Sequence, residues 1–136
     1  MTPGSESVIN GQTSKVLATI PVPTFSSHLA VDPRTDVIYV ADSEGEVTVI
    51  NGKTNTVMTT IENSNGPEQI AVNPQARFVY ATDTDVDTVA VFSEKTNTLL
   101  TEVLVGNNPE GIAVDTRTNT TYVVNEIDAT LSVLTP

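Results

Sequence analysis

The sequence predicts an all-β protein built from a repeated four-stranded unit, and two observations support this prediction. The tetrapeptide at residues 39–42 (YVAD) recurs at 80–83 (YATD) and 122–125 (YVVN), so the repeat spacings are 41 and 42 residues. Each period contains several short apolar runs rich in valine, isoleucine and threonine, and none has the 3.6-residue spacing of a helix. A period of about 40 residues with four short strands is typical of one blade of a β-propeller.

Each period is predicted to form four antiparallel strands, named a to d from the propeller axis outward. Strand a is predicted at 29–32, 70–73 and 112–115, and strand b at 37–41, 78–82 and 121–125. Strand c is predicted at 47–50, 88–92 and 130–134, and strand d at 15–21, 56–62 and 98–105. The twelve strands follow the order d, abcd, abcd, abc, which amounts to three blades per chain.

The turns between strands c and d carry a recognisable signal. Asn10-Gly11 and Asn51-Gly52 are dipeptides that tolerate positive φ at both central positions, so they predict a tight two-residue turn. Ser93-Glu94 occupies the third of these sites and departs from the rule.

The predicted domain organisation is a disordered segment at residues 1–6 followed by a three-blade unit at 7–136. Residues 7–9 also resemble a strand c. Because three blades cannot surround an axis at normal sheet packing, we expect a homodimer that closes as a six-bladed propeller, with strand d of each chain completing the abc sheet of the other. The alternatives are a fragment of a longer single-chain propeller and a nine-bladed trimer.

Composition restricts the classes of partner. The net charge of −11 and a pI of about 4.1 argue against nucleic acid and anionic membranes, and leave cations, basic ligands or proteins as candidates. The absence of cysteine excludes disulfides and thiolate metal sites. No apolar stretch approaches the roughly 20 residues that span a bilayer, and residues 1–6 lack the features of a signal peptide.

The repeats resemble the YVTN-type β-propeller family over about residues 7–134. The best-matching segments are 109–115 (PEGIAVD) and 118–125 (TNTTYVVN), and 54–57 (TNTV) resembles the start of strand d. Asn73 and Thr116 depart from the pattern, in place of its aspartate and proline. The resemblance implies a bacterial or archaeal propeller that is exported to the periplasm, the cell surface or the medium, and it implies architecture more than activity.

The charges are predicted to separate between the two rims of the propeller. Because strands alternate in direction, the d–a and b–c loops share one rim, while the a–b and c–d loops share the other. The five cations in turns map to the second rim, and Lys15 lies near the start of a strand d. Ten acidic residues map to the first rim or its margin: Asp42, Glu44, Glu46, Glu68, Asp83, Asp85, Asp87, Glu110, Glu126 and Asp128.

An acidic rim around a channel concentrates cations, and it is therefore the predicted binding site. Glu68 and Glu110 hold the same position immediately before strand a, where the first repeat has Ser27 followed by His28, the only histidine. The predicted ligand-binding set at the channel rim is His28, Glu68, Glu110, Asp42, Asp83 and Asn125. The alternatives are that the acids only keep the surface soluble, and that His28 is half-buried and bonds within its own loop.

A metal site is a weaker prediction. Asp83, Asp85 and Asp87 alternate like the start of a calcium-binding loop, and alternate carboxylates can converge on a hard cation. The glycine and the terminal glutamate of that motif are missing. No cofactor is expected to be required, and a divalent cation is kept as an optional ligand.

The sequence favours a non-enzymatic binding or interaction propeller whose acidic rim and channel receive a cation, a basic ligand or a protein. The alternative is a metal-assisted lyase or a lactonase-like hydrolase acting at the channel, because related propellers include such enzymes. A single histidine and the absence of a recognisable catalytic motif disfavour it. A fragment or engineered part of a longer propeller is the third interpretation.

Overall fold

The computed structural model describes residues 4–62 and 65–135, which form thirteen strands in four antiparallel sheets. The first sheet contains β1 (Gly4–Ile9) and β2 (Val16–Val22). The second contains β3 (Ser26–Asp32), β4 (Val37–Asp42), β5 (Glu46–Asn51) and β6 (Thr56–Glu62). The third contains β7 (Gln69–Asn73), β8 (Phe78–Asp83), β9 (Thr88–Ser93) and β10 (Thr98–Leu104), and the fourth contains β11 (Pro109–Asp115), β12 (Thr120–Asn125) and β13 (Thr130–Leu134).

All twelve predicted strands are confirmed, and a thirteenth strand, β1, precedes them. Residues 5–10 (SESVIN) stand one repeat before 46–51 (EVTVIN), so β1 is the strand-c equivalent of β5, and it pairs with β2 along its length. The disordered segment predicted at residues 1–6 is therefore wrong from Gly4 onward, because the backbone there pairs with Val22. Residues 1–3 and 136 lie outside the described residues.

The hydrophobic core lies between neighbouring sheets. Successive side chains of a strand point to opposite faces, so each inner sheet packs against a sheet on both sides. Tyr39 and Val49 of the second sheet pack against Phe92 of the third. Tyr80 of the third sheet packs in the same way against Val123 of the fourth. The first strands β3, β7 and β11 are side by side.

The c–d turns are longer than predicted. Gly52 begins a four-residue turn that ends at Asn55 with φ 56°, and positive φ is absent at both Gly11 and Gly52. The two-residue Asn-Gly turn is therefore a wrong prediction. Gly52 permits a close approach instead: its N–H donates to Asp36 O at 2.7 Å, shorter than the 3.0 Å between the equivalent Glu94 N and Arg77 O, and a Cβ on Gly52 would lie 2.5 Å from Asp36 O.

The two ends of the array leave apolar faces uncovered. Tyr80 is 9% exposed beneath the fourth sheet, whereas its equivalent Tyr122 on the open face of that sheet is 37% exposed. At the other end Leu29 and Val31 of β3 are exposed, because the first sheet has only two strands and does not reach them. The described residues contain no helix long and apolar enough to cross a membrane.

Candidate functional site

The loops of the acidic rim are bound to one another. In the fourth sheet, the N–H and the side-chain amide of Asn107 both donate to the Asp128 carboxylate at 2.8 Å. The N–H of Asn108 donates to Asp87 Oδ1 at 2.8 Å, and its Nδ2 donates to Glu126 Oε2 at 2.6 Å. These bonds join the loop before a first strand to the loops after two second strands, so the predicted common rim is confirmed.

The strands place the equivalent residues Ser27, Glu68 and Glu110 at the inner edge of this rim. Ser27 and Glu110 lie at β-bulges, where the pairing register skips one residue, and Ser27 Oγ donates to Glu68 O at 3.0 Å. A bulge turns a side chain away from its sheet and is common beside functional sites. The bulges therefore give Ser27 and Glu110 a distinct direction. Glu68 immediately precedes β7, whose register with β8 is continuous, and Glu68 and Glu110 are both half-buried.

Asp42, Asp83 and Asn125 end the second strand of their sheets and are buried. Asp42 Oδ1 accepts the N–H of Glu44 at 2.8 Å, which shapes the following turn. The Asn125 amide donates to the hydroxyls of Thr130 and Ser132 at 3.0 and 2.9 Å. The geometry thus gives Asp42 and Asn125 a role in their own hairpins, and ligand binding by all three residues stays a prediction.

The structure does not bring Asp83, Asp85 and Asp87 together as a ligand set. Within residues 4–62 and 65–135, no group of three or more His, Cys, Asp or Glu side chains has a geometry that could hold a metal ion. Asp83 is buried, Asp85 is exposed, and Asp87 Oδ1 accepts the N–H of Asn108. His28 lies exposed on β3, and no carboxylate of the described residues is within ion-pair distance of it.

All six cationic residues lie at turns of the opposite rim. They are Lys15 before β2, Arg34 after β3, Lys53 after β5, Arg77 after β7, Lys95 after β9 and Arg117 after β11. Backbone bonds join these turns, because the N–H of Glu94 donates to Arg77 O at 3.0 Å and that of Gly52 donates to Asp36 O. The rims therefore differ in charge sign.

The second rim contains a cavity of about 340 Å³ between the second and third sheets, lined by both charged and apolar side chains and called the inter-sheet cavity below. Arg34, Thr35, Val37 and Tyr39 line it from the second sheet, and Arg77, Glu94 and Lys95 line it from the third. At its base Asp32 is fully buried, and its Oδ2 lies 3.5 Å from Arg34 Nη2. The same Nη2 lies 4.0 Å from Glu94 Oε2.

Burial perturbs the titration of two groups in this cavity. Desolvation, together with the nearby Asp32 carboxylate, raises the pKa of Glu94 to about 7, although Arg34 and Arg77 oppose the shift. Desolvation and the charges of Glu94 and Asp32 also raise the pKa of the Tyr39 hydroxyl above its ordinary value. At neutral pH, Glu94 is therefore close to half-protonated and Tyr39 keeps its proton.

The residues of the inter-sheet cavity were not among the predicted site residues. The sequence signal was the departure of Ser93-Glu94 from the Asn-Gly turns at the equivalent positions. A second signal was Arg77, which stands where the other two repeats have Asp36 and Asn119. Each departure looked like loop variation alone, and only the packing of two sheets shows that they share a cavity.

Comparison with solved structures places this arrangement in the β-propeller fold. Hydrazine synthase from Kuenenia stuttgartiensis is similar with a TM-score of 0.87 at 15% identity, covering 96% of this chain and 40% of that one. A functionally unknown protein from Desulfotomaculum acetoxidans is similar with a TM-score of 0.80 at 21% identity, covering 98% and 48%. The WD40 β-propeller domain of Doa1 gives a TM-score of 0.71 at 17% identity, covering 88% and 40%.

These similarities show the fold and do not show an activity. No protein-family model matches the sequence, and no curated protein matches it, so membership of the YVTN family stays a prediction. The chain spans less than half the length of the three solved structures. Each sheet is accordingly called a blade below, and the chain is an arc of antiparallel blades of the β-propeller fold.

Proposed function

We propose that this chain is a non-catalytic binding arc of a β-propeller, which presents its acidic rim to a basic ligand or a basic surface of a partner protein. The observation that supports this proposal most directly is the separation of charge. All six cations are at turns of one rim, and ten acidic residues are on the other rim or its margin. A surface of one charge sign attracts an opposite partner and speeds its encounter.

Glu68 and Glu110 are the proposed primary contacts, with His28 beside them. Both carboxylates are half-buried at the start of a first strand, Glu68 immediately before β7 and Glu110 at the bulge of β11. They therefore lie nearest the propeller axis among the rim acids. Asp42 and Asp83 are buried at the ends of β4 and β8 and add to the negative potential of the rim.

Catalysis is the weaker candidate. General acid–base chemistry needs a titratable group within hydrogen-bond reach of a second positioned group. His28 is exposed and has no carboxylate at ion-pair distance among the described residues, and the described acids form no metal-binding group. The lyase or hydrolase alternative therefore has no supporting constellation on the acidic rim.

The uncovered faces support completion of the arc by further blades with the same repeat. Two sources are available: flanking repeats of a longer polypeptide, or a second copy of this chain. Flanking repeats would supply strands a and b before β1, which complete the first sheet, and strand d after β13, which completes the fourth. No existing strand would have to move. A second copy would place both β1 and the partner's β13 at the single strand-c position of the shared blade. The pairing therefore favours flanking repeats.

The acidic-rim proposal is tested with a fluorescent hexalysine peptide followed by anisotropy in low salt. We expect binding that weakens as salt rises, and about fivefold weaker binding for the double variant Glu68→Gln/Glu110→Gln, because each exposed ion pair contributes roughly 0.5 kcal/mol. The matched control is Asp36→Asn/Asp115→Asn, which removes two carboxylates from the opposite rim. Equal weakening by both double variants would show a net-charge effect and contradict the proposed contacts.

A further inference from the structure

Two residues that break the internal repeat line the same cavity. Glu94 occupies the position of Gly11 and Gly52, and Arg77 occupies the position of Asp36 and Asn119. They belong to different turns of the third blade, joined by the bond from the Glu94 N–H to Arg77 O at 3.0 Å. Both side chains line the inter-sheet cavity, opposite Arg34 and Tyr39 of the second blade.

Arg77 holds its place in an unfavourable backbone conformation. Its φ is 59°, in the left-handed region, where Asp36 and Asn119 have φ of 57° and 58°. Asparagine and aspartate tolerate this region because their short polar side chains bond locally, and a long side chain such as arginine has no such compensation. Local strain of this kind persists where the residue serves another purpose. Here the guanidinium reaches the cavity lining.

Glu94 is a buried carboxyl that faces a second acid. Its side chain is only 8% exposed, and it forms a hydrogen bond with the buried Asp32 carboxyl, so the two acids share a proton. Its nearest cation is Arg34 at 4.0 Å, and Arg34 is shared with the fully buried Asp32. Because the two acids share a proton and a single cation, they cancel little of the positive charge of the cavity lining.

The cavity has an excess of positive charge. Arg34, Arg77 and Lys95 line it, against Glu94 and the deeper Asp32. In the part of the chain that the structure describes, neither Arg77 nor Lys95 forms an ion pair. Guanidinium groups pair with carboxylates through two parallel N–H donors, and Val37 with the ring of Tyr39 supplies an apolar wall.

We propose that the inter-sheet cavity binds a small organic carboxylate. Arg77 and Lys95 contact the carboxylate group, Arg34 supports it from the second blade, and Val37 and Tyr39 contact the carbon skeleton. The volume of the inter-sheet cavity, about 340 Å³, lies at the lower end of the range for small-molecule sites. This site is on the rim opposite the acidic one, so it goes beyond the function proposed above and stands or fails separately.

Glu94 makes this binding depend on pH. Asp32, Arg34 and Tyr39 face it from the second blade, and Arg77 and Lys95 face it from its own blade. When Glu94 is protonated, it carries no charge that repels a carboxylate ligand; when it is ionised, its negative charge opposes the binding of that ligand. Because the pKa of Glu94 is about 7, binding takes up a proton near neutrality and weakens as pH rises from 6 to 8.

The test is isothermal titration calorimetry of the chain with acetate, succinate, benzoate and inorganic phosphate at pH 6 and pH 8. We expect at least one carboxylate to bind at pH 6 with a millimolar or lower Kd, and at least fivefold more weakly at pH 8. Glu94→Gln should remove this pH difference, because the amide is neutral and donates a hydrogen bond at both values. No carboxylate binding up to 20 mM, or binding of phosphate alone, would overturn the proposal.

Arg77→Asn separates binding from folding. We expect at least tenfold weaker carboxylate binding together with an unchanged or higher Tm, because asparagine suits the left-handed turn better than arginine. Lys95→Gln provides a second loss-of-binding variant at an exposed site. The matched control is Arg117→Gln, which removes one cation from the same rim in the fourth blade and should leave binding unchanged. Equal weakening by Arg77→Asn and Arg117→Gln would contradict the site.

Discussion

At the hairpin turns of the cationic rim, one residue in each turn adopts a left-handed conformation. Five of these six residues have short polar side chains: Ser14, Asp36, Asn55, Asn97 and Asn119. The sixth is Arg77. This explains why the Thr-Asn-Thr pattern recurs in the sequence, because asparagine accepts positive φ at the last turn position. The pattern itself was visible, but its physical reason required the backbone geometry.

The glycines of two equivalent turns should respond differently to alanine. We expect Gly52→Ala to lower the free energy of unfolding by about 1–3 kcal/mol, because the new Cβ would lie 2.5 Å from Asp36 O. Gly11→Ala is the matched control: no atom lies within 4 Å of its ideal Cβ, so stability should stay the same or rise by up to about 1 kcal/mol. Urea unfolding measures both. Equal effects would show that the contact with Asp36 is unimportant.

At the scale of strands, the predictions succeeded where apolar residues alternate strongly. The second strands of the repeat were predicted to within one residue, because their apolar runs pack on both faces. Only residues 7–9 of β1 were recognised as resembling a strand c, because residues 5–7 (SES) lack that signal, and Glu6 stands where β5 has the buried Val47. Its strand conformation comes from pairing with β2, which is a tertiary effect.

Adjacent valines of β12 test which face of the last blade is covered. Val123 is 0% exposed and Val124 is 48% exposed. We expect Val123→Ala to lower the free energy of unfolding by about 2 kcal/mol, since it removes two buried methyl groups and leaves a cavity. Val124→Ala should change it by less than about 0.5 kcal/mol. A large cost for Val124→Ala in the isolated chain would mean that another molecule covers this face in solution.

At the scale of the whole molecule, the repeat predicted the propeller architecture, and solved structures support that fold. The repeat could not predict the inter-sheet cavity, because a cavity depends on how Glu94 and Arg77 of one blade meet Arg34 of the next. At the ends, the sequence showed only that residues 7–9 resemble a strand c. The pairing of β1 with β2 shows that the strand-c position is filled at both ends.

Light scattering coupled to size exclusion tests how the arc is completed. If flanking repeats of a longer polypeptide complete the arc, the isolated chain should show the mass of one 14.4 kDa chain when dilute. Its open apolar faces should make it associate progressively as concentration rises. Val124→Glu should reduce that association. A mass of twice 14.4 kDa that persists on dilution would instead favour the six-bladed dimer, in which β1 or β13 has left its sheet.

The opposite signs of the two rims give the molecule an electric dipole moment along the propeller axis. The rim with the six cations also carries Asp32, Asp36, Glu94 and Asp115, so its formal charge is +2 when all four are ionised, against at least −10 at the other rim. Near a charged surface, such a molecule rotates before it makes contact. A positively charged surface would therefore meet Glu68 and Glu110 of the acidic rim first, while the inter-sheet cavity would remain open to solution on the far side.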